Sequence, residues 1–100
     1  MNQRTLNKTE LYKIILSLKS LREAELFFHD LLTPEEIEDF AKRWQVVKML
    51  NAGMSYADIQ KATSLSSTTV ARTSKWVKKG GGGFLLALKR AKKSTSRKVK

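Results

Sequence analysis

Apolar residues recur along this chain at three- and four-residue steps, the period of α-helices, and not in the alternating order of strands. Leu11, Ile14, Ile15 and Leu18 define a first helix from about Lys8 to Ser20, with Thr9 as its N-cap. A short second helix covers Leu21 to Leu31. Its Phe27, Phe28 and Leu31, with Leu32 beyond, present more apolar surface than one face of a small monomer can cover. Both helices therefore suit burial against another subunit. Thr33-Pro34-Glu35-Glu36 opens a third helix: Thr33 can cap, Pro34 fits the first helical position, and the acids face the positive end of the helix dipole. Ile37, Phe40, Ala41, Trp44, Val47 and Leu50 then form a stripe, and the helix should end near Ala52, before the left-handed cap that Gly53 favours.

Ser55 starts the next helix, with Asp58 three residues on in the manner of a capping box, and the helix runs to about Thr63. Ser64-Leu65-Ser66 is a turn, and Ser66 caps a helix from Ser67 to about Lys78. Ile59, Ala62, Leu65 and Val70 have the spacing that packs two helices at a steep angle across such a turn, a helix-turn-helix. Gln60 stands where a small residue usually allows close packing, and Ser64 where the turn usually has glycine. Gly80 to Gly83 end the helix and act as a flexible connector. Phe84-Leu85-Leu86-Ala87-Leu88 begins a last short helix, apolar on nearly every side. The expected layout is one all-α domain over residues 1–92, with N-terminal dimerisation helices in 8–52, the helix-turn-helix in 55–78 and a final helix in 84–92. Residues 93–100 should form a disordered basic tail.

Charge adds direction to this pattern. Residues 1–65 hold nine Lys/Arg and nine Asp/Glu, whereas residues 66–100 hold eleven Lys/Arg and no acid, which accounts for the formal +11. The positive field begins where the second arm of the helix-turn-helix begins, so a duplex polyanion is the leading partner. The expected DNA contacts are Ser66, Ser67, Thr68 and Thr69 in the major groove, with Gln60 from the preceding helix. Arg72, Lys75, Lys78 and Lys79 follow, mainly at phosphates.

Other chemistry finds little support. There is no cysteine, so thiolate metal sites, disulfides and cysteine nucleophiles are excluded, and His29 is the sole histidine. His29-Asp30 reads as a surface pair near a helix end. The carboxylates Glu35, Glu36, Glu38 and Asp39 read as a solvated helix start. The glycine run lacks the Gly-Lys-Ser/Thr and the preceding strand of a phosphate loop. No nucleophile–base cluster suggests an enzyme, and no apolar stretch approaches a membrane span or a signal peptide, which points to the cytoplasm and the nucleoid.

The run Leu32-Thr33-Pro34-Glu35-Glu36, then Arg43, Val46-Val47, Gly53-Met54-Ser55 and Thr69-Val70-Ala71-Arg72, resembles the tryptophan operon repressor family. Arg72-Thr73-Ser74-Lys75-Trp76, with Gly80 and Gly83-Phe84, is closer to its YerC/YecD-type relatives. The resemblance covers roughly residues 10–90. It implies a six-helix Trp repressor-like subunit in an intertwined homodimer with two reading heads on a shared core, and a role as a repressor. It also implies an effector site: Arg43 and Arg72 match the arginines that sandwich an indole ring, and Thr33 matches a neighbouring contact. Trp76 stands where the family has the small serine that receives the amino group. That substitution argues against L-tryptophan as corepressor; Trp76 either fills the ligand's space or, as most helix-borne tryptophans do, packs in the core. No cofactor is otherwise expected. Two rival readings are a non-specific nucleic-acid binder and a protein–protein adaptor with a vestigial helix-turn-helix.

Overall fold

A computed structural model describes residues 7–98, with side-chain surroundings for residues 7–92. Six helices follow in order: α1 (Lys8–Ser17), α2 (Leu21–Leu31), α3 (Pro34–Asn51), α4 (Tyr56–Thr63), α5 (Ser67–Lys79) and α6 (Gly83–Lys98). No strand occurs among the described residues. The all-α, six-helix expectation holds. The chain divides into two compact units, one through Glu38 and the other from Asp39.

In the first unit, local capping sets the helix ends. Asn7 rather than Thr9 caps α1, its side-chain oxygen accepting from the Glu10 N–H at 2.9 Å. Asparagine is the stronger cap, and its position leaves Thr9 inside the helix. The helix stops at Ser17, not Ser20, because Ser20 is used to start α2. Ser20 Oγ accepts from the Glu23 N–H at 3.1 Å, and Glu23 Oε1 accepts from the Lys19 N–H at 2.9 Å. Thr33 and Glu36 form a reciprocal capping box: Thr33 Oγ1 accepts from the Glu36 N–H, and Glu36 Oε1 from the Thr33 N–H. The Phe27 and Phe28 rings meet edge to face at 5.4 Å. No residue of α1 or α2 is buried.

The second unit holds the core. Gly53, at φ 85, ends α3 as a Schellman motif, with Met54 N–H donating to Met49 O and Gly53 N–H to Leu50 O. Val46 of α3, Ile59 of α4 and Val70 of α5 form one fully buried cluster, with Met49, Leu50 and Leu65 packed around it. Val46 was absent from the stripe read along the third helix, and Phe40, which was in it, is exposed. Two members of the stripe do turn inward: Val47 is fully buried and Leu50 packs against the cluster, so the buried face of α3 overlaps the stripe at its C-terminal end. Ala62 is exposed, and Thr63 takes the inward place beside Ile59. Thr63 can be buried because its Oγ1 donates to Ile59 O at 2.7 Å and accepts from the Leu65 N–H.

The helix-turn-helix ends where expected. Ser55 and Ser66 cap α4 and α5 through Oγ, accepting from the N–H groups of Asp58 and Thr69. Ser64 closes α4 in the left-handed region at φ 62, ψ 19. One expectation is corrected: α6 runs to Lys98 instead of stopping at Lys92 before a disordered tail, with residues 99–100 outside the described range. Lys-Lys-Ser-Thr-Ser-Arg-Lys contains no glycine or proline to stop a helix already under way. The apolar start of α6 is not buried within one chain, since Leu85 and Leu86 are both more than half exposed.

Candidate nucleic-acid interface

α5 presents three distinct faces. Val70, Thr73 and Ser74 point inward, the first fully buried and the other two nearly so. At about 100° per residue, Thr68, Arg72, Lys75 and Lys79 fall within roughly 60° of one another on the opposite side. All four are exposed. The helix carries no acid in its first turn, and Lys78 and Lys79 lie in its last turn, where cations suit the dipole. Asp58 is the last carboxylate in the chain, so none follows to neutralise this stripe.

The hydroxyl cluster at the head of α5 divides by role. Ser67 and Thr68 are exposed in the first turn. Ser66 Oγ caps the helix and lies 3.0 Å from Thr69 Oγ1. Thr69 is half-buried, and Gln60 on α4 is half-buried as well. The side chains freest to approach a base edge are thus Ser67 and Thr68, with Arg72 one turn beyond.

On one edge of α5, Tyr56 faces Ala71, Ser74, Lys75, Lys78 and Lys79 across an open depression of about 310 Å³. The Tyr56 hydroxyl donates to Ser74 Oγ at 2.7 Å. This bond ties the first residue of α4 to the middle of α5. Sequence reading passed over it, because neither residue signals a partner eighteen positions away.

On the other edge, the Arg43 guanidinium lies 5.6 Å from the Phe40 ring centre and 5.9 Å from the Trp76 ring centre. Both distances suit a cation–π contact. Beside them runs an open groove of about 560 Å³, bounded by Trp44, Gly80 to Gly83, Phe84 and Ala87. Of the four expected effector contacts, Arg43 and Trp76 meet here. Arg72 lies one turn before Trp76 on the outward stripe, and Thr33 serves as the cap of α3 in the other unit. The Arg43 guanidinium thus lies within cation–π distance of two of the chain's own rings.

No helix among the described residues is long and apolar enough to cross a membrane. The family model described as Trp repressor protein matches residues 7–92. The protein YerC of Bacillus subtilis (strain 168), itself described as uncharacterized, is 38% identical over 85 residues, which is 85% of this chain and 82% of YerC. A TrpR-like protein from Eubacterium eligens superposes with a TM-score of 0.81 at 35% identity, over 88% of this chain and 91% of that one. A candidate Trp repressor from Staphylococcus aureus does so with a TM-score of 0.80 at 33% identity, over 85% of each chain. These matches span both the N-terminal helices and the helix-turn-helix, and the chain belongs to the Trp repressor family, a regulatory rather than an enzymatic family.

Proposed function

We propose that this protein is a sequence-specific DNA-binding transcriptional regulator, a repressor, acting in the cytoplasm as a homodimer. The observation that carries this is the outward stripe Thr68, Arg72, Lys75 and Lys79 on a capped helix whose opposite face is anchored in the core. A helix so held can enter a major groove at its N-terminal end, while its cations meet the phosphates on either side. Family membership supports the same reading.

The dimer is supported by the first unit. Its helices bury nothing, yet carry Leu11, Ile14, Leu16, Leu21, Leu26 and Leu31 at exposures from 38% to 83%. So much exposed aliphatic surface on a short segment marks an interaction face. A second copy offers the same surface in return, as a two-fold interface requires. Two reading heads related by a two-fold axis call for a nearly palindromic target, with half-sites about one helical turn apart.

Selection of bound duplexes from a random pool tests the reading. Enrichment of such a two-part motif is expected. A pool that stays random after several rounds, although protein and DNA associate, would favour non-specific binding and reject it.

A further inference from the structure

The helix that carries the cationic stripe is tied to α3 at two places. The first is the buried cluster of Val46 and Val70, shared with Ile59 of α4. One such contact acts as a pivot: it fixes where the helices cross but not how α5 tilts about that point. The second is the stacking of Arg43, one turn before Val46, on the ring of Trp76. Trp76 lies six residues beyond Val70, or about 9 Å further along the axis of α5. Two fixed points separated by that distance set a tilt. The same guanidinium lies 5.6 Å from the ring centre of Phe40, one turn earlier on its own helix. Arg43 therefore lies within cation–π distance of two rings that both belong to this chain.

We propose that Arg43 and Trp76 form a built-in brace that holds α5 at its DNA-reading angle, so that binding needs no small aromatic effector. Both act as positioning residues. Neither belongs to the outward stripe: Trp76 sits about 60° from Lys79, 80° from Thr68 and 100° from Lys75 around the helix, on the α3 side. The brace supplies by covalent attachment what a free indole could supply only at the cost of binding entropy. Its place at the edge of an open groove makes it separable from the core. Trp76 is 43% exposed, so trimming it leaves the Val46–Ile59–Val70 cluster in place.

The inference rests on the DNA-binding reading, and the test separates the two. Fluorescence anisotropy on a duplex selected by the wild-type chain would compare wild type with Trp76→Ala, Trp76→Phe, Arg43→Gln and the double variant. Trp76→Ala should weaken binding about two- to fivefold, the scale of one cation–π contact at an exposed site, with unchanged helical circular dichroism. Trp76→Phe should recover most of the loss. The double variant should be no weaker than Arg43→Gln alone, since that substitution already removes the Arg43–Trp76 contact. The salt slope should not change, because no phosphate contact is lost.

Millimolar indole is the sharper probe. It should restore binding to Trp76→Ala by refilling the space beside Arg43, and leave the wild type unaffected. Wild-type strength in Trp76→Ala, or wild-type binding that tightens with indole or L-tryptophan, would overturn the brace while leaving DNA recognition intact. A wild-type chain that selects no duplex would overturn both.

Discussion

Ser64 is the one residue other than glycine held at positive φ among the described residues, and replacing it tests the turn of the helix-turn-helix. Its φ of 62 and ψ of 19 place it in the left-handed region, where a Cβ crowds the following carbonyl oxygen. That conformation costs an L-residue roughly 1–2 kcal/mol. Ser64 is nonetheless held there because its N–H closes α4 on Gln60 O at 2.8 Å and the chain must turn at once into the cap of α5. Ser64→Gly removes the crowding but adds about 0.4–1 kcal/mol of freedom to the unfolded chain. The net gain should be about 0.5–1 kcal/mol. For a domain of this size that is a rise in Tm of about 3–6 °C at fixed protein concentration. The Ser64 side chain is exposed, so no packing is lost. Ser64→Val should do the opposite, because a β-branched residue tolerates this region worst. Differential scanning calorimetry on the three proteins reads both signs. A lower Tm for glycine together with an unchanged Tm for valine would refute the left-handed turn.

The glycine run should prove unequal: a Cβ at Gly80 would run into the Trp76 carbonyl oxygen, whereas Gly81 is open on all sides and not at positive φ. Gly80→Ala should therefore lower Tm, and Gly81→Ala should leave it unchanged or raise it slightly, by calorimetry under the same conditions. Lys79→Gln removes one cation of the outward stripe. It should weaken binding to all duplexes alike and reduce the slope of log K against log salt by about 1, read by anisotropy across a salt series. Leu21 is 77% exposed in a single chain. Leu21→Glu should shift the sedimentation coefficient from dimer to monomer, and an unchanged coefficient would place the subunit contact elsewhere.

What could be read in the sequence was local. Thr33-Pro34-Glu35-Glu36, Gly53, Ser55 and Ser66 each act within a few residues of themselves, and each does in the structure what its side chain favours. One cap differs, Asn7 in place of Thr9, and the end of α1 moves from Ser20 to Ser17 because Ser20 caps the next helix; only the formed bonds decide between such neighbours. Burial was less legible. Of the stripe along α3, Val47 and Leu50 turn inward while Phe40 stays exposed and Val46, outside the stripe, joins the core, because a helix with apolar residues on more than one side does not reveal which side its neighbours take. The outward stripe on α5 could be anticipated from charge and spacing. The contacts that orient that helix could not, since Tyr56 with Ser74 and Arg43 with Trp76 join positions eighteen and thirty-three residues apart.

Competition at equilibrium puts the outward stripe to the strictest trial. A labelled duplex recovered by selection is held at moderate salt and displaced with unlabelled duplex, either identical or of unrelated sequence. If Ser67, Thr68 and Arg72 meet base edges while the lysines grip phosphates, the unrelated duplex should compete about a thousandfold less well. Equal displacement by both would mean that the helix provides charge alone, and that this chain does not read DNA sequence.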